Sequence, residues 1–464
     1  MKRATVASLA LLMSFGPVSV NAAGLTEIYR QSSGNSPGLD IAQARVDEAD
    51  AAHTNAIFGM LPRINYTHDR EHVAQELIKT ENPTFNVGKA DFENSINTVS
   101  LVQPILNGPL FLAIGEAKYA MHGEQSRYHA TEQDVAFNTI ETYLMTLASH
   151  DAYRLALAEY QAVQKQADQF AVRRRSGLTG SQEYDEVKAK LSSAQTQVIQ
   201  TAAQVEQQFA QLEELTGRPV NDLQPLAESF PMTMPEQMDH QTWLDKALAH
   251  NPDYQALMHD TKAAKQQYDV QLTTNLPTVE VRASSTHRDI GGALFGSASE
   301  SQEDIWVLRL NMPIFNSTGG GYKQREAVEA WNQSKHKMVE RQRQLQRQIR
   351  VGLVQVADSV NRAPRLNELV DSRERILASS EKKYDAGLIT VDDVLDDISD
   401  VYRARRDLLS SHYSYLLGKV LLQRLSGELG KPQVEQIDQL LDRKAVAIGR
   451  PELDWNNLTL SSLN

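Results

Sequence analysis

Cysteine is absent from this 464-residue chain. Its absence excludes disulfide bonds, zinc sites built on thiolates, and a lipid anchor attached to a cysteine behind a leader sequence. Aromatic residues make up only 6% of the chain, which is few for the two or three globular cores that this length would otherwise imply. Gln, Ala, Leu and charged residues dominate instead, a composition typical of long helices that pack along narrow seams.

Long apolar runs are also scarce. The clearest one covers residues 4–20, follows Lys2 and Arg3, and leads to a small-residue site that ends at Ala22. This is the pattern of a secretory signal peptide at residues 1–22. No other segment approaches the roughly 20 apolar residues that a transmembrane helix needs. The sequence therefore predicts a chain that leaves the cytosol without a helical membrane anchor.

The charge balance is acidic, with 59 acidic against 47 basic residues and a net charge of −12. Nucleic-acid binding needs clustered cations that displace counterions, so this balance argues against a nucleic-acid partner. The chain has neither a nucleophile elbow nor a complete phosphate-binding loop. The sequence therefore predicts no enzyme, no cofactor and no metal site.

The chain repeats its own landmarks at an offset of about 210 residues. The recurring pairs are Leu61-Pro62 with Leu276-Pro277, residues 103–107 with 312–316, Ser176-Gly177-Leu178 with Ala386-Gly387-Leu388, and Leu215-Thr216-Gly217 with Leu425-Ser426-Gly427. Such an ordered recurrence indicates one ancestral unit copied twice. The predicted divisions are a first repeat at 23–217, a proline-containing linker at 218–242, a second repeat at 243–430 and a C-terminal tail at 431–464.

Each repeat is predicted to fold as a helix, two strands, a very long helix, a tight turn and a further helix. The predicted ranges are 25–60, 62–72, 93–104, 109–175 and 180–216 in the first repeat, and 243–275, 277–287, 303–313, 320–385 and 390–428 in the second. Each repeat thus carries one β-hairpin, at about 62–104 and 277–313. Pro364 is expected to kink or break the second long helix, and the chain is expected to be irregular after Gly430.

The helix after Gly387 has the clearest periodicity. Its apolar residues step by threes and fours through Val391, Val394, Ile398, Val401, Leu408 and Tyr415. This is a heptad seam, so the neighbours of this helix are expected to be other long helices in coiled-coil packing. At 1.5 Å per residue, a helix of about 65 residues reaches roughly 100 Å.

The predicted strands have one apolar face. In the second hairpin this face is formed by Trp306, Leu308, Leu310, Val279 and Val281. It could rest on a helix, as in a soluble protein. An exported chain whose helices already pack on one another instead favours contact with lipid, where only closed barrels of strands are stable. Four strands cannot close a barrel, so chains must pool strands, and two chains (eight strands) or three (twelve) are both possible.

The two hairpins, the two Gly-Leu turns and the run Tyr384-Asp385-Ala386-Gly387 followed by Val394-Leu395-Asp396 define a resemblance. The chain resembles the TolC family of outer-membrane efflux and type I secretion proteins over nearly its whole predicted mature length. The resemblance implies a mainly α fold with a small membrane β-barrel, in which a homotrimer forms a twelve-stranded barrel continued by a periplasmic α-helical tunnel. It also implies a passive exit duct in the outer membrane.

The resemblance implies partners as well: a periplasmic adaptor protein and an inner-membrane transporter, either an ABC or a proton-driven one. The absence of a lipid-anchoring cysteine leans towards type I protein secretion rather than small-molecule efflux. Two other classes fit less well. A periplasmic adaptor would carry one helical hairpin flanked by β-rich domains, and a purely structural coiled-coil protein would lack the alternating strands.

The resemblance also implies functional positions. Gly177-Leu178 and Gly387-Leu388 match the tip turns where adaptors dock, although glycine at a helix end is also explained by C-capping. Asp393 and Asp396 match carboxylates that line the closed pore, and Asp400 continues their stripe. These aspartates lie opposite the heptad seam, so three chains would bring them together in a ring that attracts cations. A solvated helix face is the alternative interpretation.

The last group of positions concerns the gate. Tyr384 matches a gate tyrosine of the family, and Glu183 is expected to join it in the contacts that hold the tip shut. Ile389 stands where some relatives carry a basic residue, so that gating ion pair cannot form here. We expect that Arg173, Arg174 and Arg175 supply the missing cation, although such a run is more often a solvated face.

Overall fold

The computed structural model of the chain describes residues 22–79, 88–175, 181–227, 229–235, 238–292, 296–314, 320–451, 453–454 and 459–460. Its elements in chain order are α1 (Leu25–Gly34), α2 (Pro37–Phe58), β1 (Arg63–Glu76), β2 (Lys89–Leu106), α3 (Gly108–Arg175), α4 (Ser181–Thr216), β3 (Asp222–Leu223), α5 (His240–His250), α6 (Pro252–Thr273), β4 (Thr278–Ile290), β5 (Ser299–Asn311), α7 (Gly320–Asp385), α8 (Val391–Leu425), α9 (Lys431–Asp438), β6 (Ile448–Gly449), β7 (Leu453–Asp454) and β8 (Thr459–Leu460). The fold is mainly helical with a small antiparallel sheet.

The two very long helices lie where the sequence predicts them. α3 has 68 residues and α7 has 66. Pro364 is predicted to kink or break this helix; α7 continues through it, so the predicted break is wrong. Proline removes one backbone donor from the helix, and a helix of this length retains its other backbone hydrogen bonds on both sides.

Each repeat begins with a segment that is predicted to be one continuous helix, and in the structure each of these segments is divided into two helices. The first divides between Gly34 and Pro37, and the second divides at Asn251. Proline disfavours the helical conformation of the residue before it and is well tolerated in the first turn of a new helix. Asn251 has extended backbone angles, and its side chain accepts a hydrogen bond from Tyr254 N at 3.0 Å. This N-cap begins α6.

The four long strands form one antiparallel sheet in the order β1-β2-β4-β5. They have 14, 18, 13 and 13 residues, so each is longer than predicted. The register is regular except for a bulge between Pro104 and Leu106. β1 and β5 are the edge strands. Each repeat therefore contributes one hairpin to a single sheet.

The chain divides into two compact units. The first contains residues 1–36, 132–240 and 349–464, and the second contains 37–131 and 241–348. Two of the four divisions fall within α3 and α7, one lies between α1 and α2, and one lies at the start of α5. The four-stranded sheet belongs to the second unit, and the ends of the four longest helices around the predicted tip belong to the first.

The C-terminal segment contains α9 and β6, so the prediction of an irregular tail is wrong for residues 431–438 and 448–449. α9 follows Gly430 directly, and β6 pairs with β3. Arg450 donates hydrogen bonds to Glu206 at 2.8 Å and to Glu213, both on α4. Its guanidinium also lies over the ring of the buried Phe209 at 5.2 Å. These contacts fix the segment to the first unit.

Within the described ranges, none of the helices combines the length and the apolar character that a membrane span requires.

Candidate functional site

The ends of α3, α4, α7 and α8 are held together by an apolar cluster in the first unit, which we call the tip cluster. Its buried members are Val163, Phe170, Val187, Tyr384, Val391, Val394, Leu395 and Ile398. The residues of the predicted heptad seam at the start of α8 are 0–3% exposed. The prediction that α8 packs against other long helices is therefore confirmed.

The turn between α7 and α8 has the geometry of a Schellman C-cap. Gly387 has φ = +72°, and Leu388 N donates to the carbonyl of Lys383 at 2.9 Å. Glycine adopts this left-handed conformation without the steric cost that a Cβ imposes. Leu388 is 74% exposed. The matching turn of the first repeat, with Gly177 and Leu178, lies outside the described residues.

Asp393 is part of the N-cap of α8. Its carboxylate accepts hydrogen bonds from Thr390 N at 2.8 Å and Thr390 Oγ1 at 2.7 Å, and Asp393 N donates to Thr390 Oγ1 at 3.3 Å. This is a capping box. The hydrogen bonds from the Thr390 hydroxyl and backbone lower the pKa of Asp393, so the carboxylate stays ionised at neutral pH.

Asp396 is paired with a cation of the other repeat. Lys190 on α4 places its Nζ 2.5 Å from Asp396 Oδ1. The hydrogen bond to Asp396 raises the pKa of Lys190. The side chains of both residues are partly exposed, at 40% for Lys190 and 60% for Asp396.

Asp400 has two arginine partners. Arg373 on α7 lies 2.9 Å from one oxygen of its carboxylate, and Arg403 on α8 lies 2.7 Å from the other. Its side chain is 24% exposed. The three predicted pore aspartates therefore all lie away from the buried seam, but each has its own hydrogen-bond or charge partner.

Arg173 and Tyr384, two of the predicted gate residues, are in contact. The guanidinium carbon of Arg173 lies 4.4 Å from the centroid of the Tyr384 ring, and Arg173 Nη2 lies 2.9 Å from Asp385 Oδ1. Tyr384 is 9% exposed and belongs to the tip cluster. The end of α3 is thus joined to the end of α7 by one cation–π contact and one ion pair.

The remaining predicted gate positions are Ile389, Glu183, Arg174 and Arg175. Ile389 packs against the tip cluster, which explains structurally how an apolar residue is accommodated there. Glu183 lies in the first turn of α4. The side chains of Arg174 and Arg175 fall outside the described part of the chain.

In the second unit, the sheet carries the predicted apolar face. The register places Val279 opposite Leu310, Val281 opposite Leu308, and Ala283 opposite Trp306. Directly opposed residues of an antiparallel pair point to the same side, so these side chains share one face. Trp306 is 77% exposed, Leu308 71% and Leu310 67%.

The first hairpin extends this apolar face. Ile64 lies opposite Leu101, which in turn lies opposite Ala283. Tyr66, two residues along β1, is also on this face and is 65% exposed. On the other face, Arg282 donates to Glu280 at 2.7 Å. The large exposed apolar side chains are therefore concentrated on one face of the sheet over this region, while the other face mixes charged residues with Val102 and Val307.

Three cations near the predicted aspartates are missing from the sequence-based predictions: Lys190, Arg373 and Arg403. The first two lie on helices other than α8. Heptad periodicity shows which face of a helix is buried, but the axial register between helices decides which charges meet. Arg403 had a local signal, since it follows Asp400 at the i,i+3 spacing.

Within the described ranges, no group of three or more histidine, aspartate or glutamate side chains is arranged to hold a metal ion. The candidate site described above consists of apolar contacts and ion pairs.

The chain belongs to the outer membrane efflux protein family, whose model matches residues 28–218 and 243–428. The resemblance found from the sequence is thereby confirmed, and so is the prediction of an export channel located in the outer membrane of Gram-negative bacteria.

Individual relatives are distant but cover nearly the whole chain. The alkaline protease secretion protein AprF of Pseudomonas aeruginosa is 24% identical over 90% of this chain and 87% of its own length. The outer membrane protein TolC of Vibrio cholerae is 20% identical over 90% of this chain and 94% of its own length. The CmeC outer membrane channel of Campylobacter jejuni has a similar structure, with a TM-score of 0.75, 16% identity and 90% of each chain covered. These proteins are channels and secretion proteins rather than enzymes.

Proposed function

We propose that three copies of this chain form a twelve-stranded barrel in the outer membrane, continued by a periplasmic tunnel of the long helices. The observation that supports this proposal is that the sheet has two long edge strands. β1 and β5 are 14 and 13 residues long, and in the described part of the chain each pairs with one neighbour only. Long, regular edges of this kind pair with strands of another chain.

The apolar face supports a lipid environment for this sheet. Trp306, Leu308 and Leu310 are more than two-thirds exposed in the single chain, and Val279 and Val281 lie opposite two of them. A contiguous exposed apolar face is rare in a soluble monomer. Strands of 13–18 residues also exceed the about 9–11 that a tilted barrel strand needs. We assign these five residues to the lipid-facing surface.

Eight strands from two chains would also reach the smallest known barrel size. The family resemblance favours three chains and twelve strands. In this assembly residues 1–22 act as a removable signal peptide, and the repeats at 23–217 and 243–430 are equivalent halves of each subunit, joined by the linker 218–242.

The tunnel end is assigned to the tip cluster. Asp393 and Asp396 of three chains form a carboxylate ring at the constriction, with Asp400 one turn further along. Arg173, Tyr384 and Glu183, together with Arg174 and Arg175, form the contacts that keep this end closed. The turns containing Gly177-Leu178 and Gly387-Leu388 dock a periplasmic adaptor, for which the exposed Leu388 offers an apolar contact.

The proposed cargo is protein. AprF is named for alkaline protease secretion and matches 90% of this chain. The duct is passive, so an inner-membrane ABC transporter would supply the energy and an adaptor would join it to the duct. A proton-driven pump with small-molecule cargo is the second possibility.

A complementation experiment separates the two cargoes. The chain is expressed together with its adaptor and pump in a host that lacks its own export channel. Restored secretion of a protease without restored resistance to detergents and dyes supports protein export. Restored resistance without secretion would contradict it.

The carboxylate ring is tested by channel recording in planar bilayers. The double variant Asp393→Ala with Asp396→Ala should weaken block by divalent and trivalent cations, because the ring loses its negative charge. Asp396→Glu, which keeps the charge, is the control and should be blocked like the unmodified channel. Unchanged block in the double variant would remove both residues from the lumen.

A further inference from the structure

Lys190 is a basic residue in direct contact with the predicted carboxylate ring. It lies on α4, and its ammonium group is 2.5 Å from Asp396 on α8. Both side chains are substantially exposed, at 40% and 60%. Exposed ion pairs contribute little to folding stability, because water screens them and two long side chains lose freedom. The main effect of Lys190 is therefore on the local charge.

The neighbouring aspartates differ from Asp396 in how they are held. The carboxylate of Asp393 is held by the uncharged groups of Thr390, so it keeps its negative charge. Asp400 is paired with two arginines. Asp396 is paired with Lys190, whose ammonium also experiences the attraction of Asp392.

The protonation of Lys190 is secure at neutral pH. The hydrogen bond to Asp396 and the attraction of Asp396 and Asp392 raise its pKa, outweighing the opposing effect of partial burial. A full positive charge therefore lies beside Asp396 at neutral pH.

We infer that Lys190 sets the cation affinity of the constriction by neutralising Asp396. The inference rests on the proposed function, in which Asp393 and Asp396 of three chains face the lumen. Each chain then contributes two carboxylates and one ammonium group to the ring. Removing the ammonium group doubles the net negative charge that these residues present to a passing ion, and its loss should tighten cation block.

The test compares two lysines that are two residues apart on α4. Lys190→Met removes the charge and keeps most of the side-chain length. Lys188→Met is the matched control, because Lys188 is exposed and its substitution removes the same charge from a neighbouring position. The full-length trimeric channel is recorded in planar bilayers, with hexaamminecobalt(III) added on the side of the helical tip.

Lys190→Met should lower the concentration that gives half block by about tenfold, since each added unit charge acts on a trivalent ion within a narrow mouth. Lys188→Met should change it by less than about twofold, because residues two apart on a helix point to nearly opposite sides, so the charge of Lys188 is directed away from Asp396 and is screened by solvent. Lys190→Arg restores the positive charge and should behave like the unmodified channel. Lys190→Met combined with Asp396→Asn removes the pair together and should return block close to its original value.

The outcomes distinguish the inference from the proposed function. If Asp396→Asn weakens block and Lys190→Met leaves it unchanged, the ring exists and the role of Lys190 is refuted. If neither aspartate variant affects block, the ring itself is refuted, and the role of Lys190 with it. Should Lys190→Met fail to assemble, Lys190→Gln serves the same comparison, with the reversal potential in a salt gradient as the measurement.

Discussion

Loss of the Arg173 side chain should favour the open state of the channel. Arg173 joins the end of α3 to the end of α7 through the Tyr384 ring, at 4.4 Å, and Asp385, at 2.9 Å. Separation of these helix ends would break both contacts. The variant Arg173→Met removes the charge while it keeps an apolar side chain against the tyrosine.

The size of the expected shift towards the open state follows from the solvent exposure of the two contacts of Arg173. The side chain of Asp385 is 73% exposed, so the ion pair contributes about 0.5 kcal/mol. The cation–π contact with the buried Tyr384 contributes about 1 kcal/mol. Their sum of roughly 1.5 kcal/mol corresponds to about a tenfold shift in the ratio of open to closed channels. Asp385→Asn breaks only the ion pair and should shift the ratio by about twofold.

Single-channel recording in planar bilayers measures this ratio. Arg154→Met is the matched control: Arg154 also lies on α3, is 65% exposed and pairs with Asp151 one turn away, so its loss should leave the open fraction unchanged. An open fraction that is the same in Arg173→Met and in the unmodified channel would refute the reasoning. An equal effect of Arg154→Met would show that general charge, not the contact with Tyr384, is responsible.

Three further predictions concern stability. Gly387→Ala should destabilise the protein by about 1 kcal/mol, because alanine is strained at φ = +72°, whereas Gly321→Ala, also with open space around the added Cβ, should be neutral or stabilising; denaturant unfolding followed by circular dichroism compares them. Arg450→Ala should lower the free energy of unfolding by about 2 kcal/mol, since it leaves two partly buried glutamates without their partner. An unchanged thermal unfolding midpoint in this variant would contradict the anchoring of the C-terminal segment. Hydrogen bonding to Arg30 lowers the pKa of Glu27 from 4.5 to about 2. The stabilising contribution of Glu27 is therefore complete above about pH 4.5 and is lost as the pH falls towards 2. Glu27→Gln should reduce the loss of folding stability between about pH 6 and about pH 2, and an unchanged loss would exclude this linkage.

The periodic features of the fold could be predicted from the sequence. Val391, Val394 and Ile398 follow a heptad pattern that identifies the buried side of α8, and they are 0–2% exposed. Trp306, Leu308 and Leu310 alternate along a strand and share one face of the sheet as expected. In both cases the pattern depends only on the regular geometry of a single element.

Features that depend on the relation between elements could not be predicted in this way. The contact of Lys190 with Asp396 requires the axial register of α4 and α8, and the two residues are 206 positions apart in the chain. Arg450 appeared to lie in an irregular tail, because its stabilising partners are on α4. Pro364 indicated a kink or a break, and α7 does not break there.

The proposed barrel requires that β1 of one chain pairs with β5 of the next and that three chains close the ring. The absence of cysteine makes disulfide crosslinking a direct test, with one cysteine introduced on β1 and one on β5 at a series of paired positions. Two strands separate these edges within one sheet, so the edges are about 14 Å apart, beyond the reach of an intrachain disulfide. Oxidation in intact outer membranes should yield covalent dimers and trimers and no larger species in at least one register. Only monomers at every tested register, or a ladder that stops at the dimer, would contradict the proposed barrel.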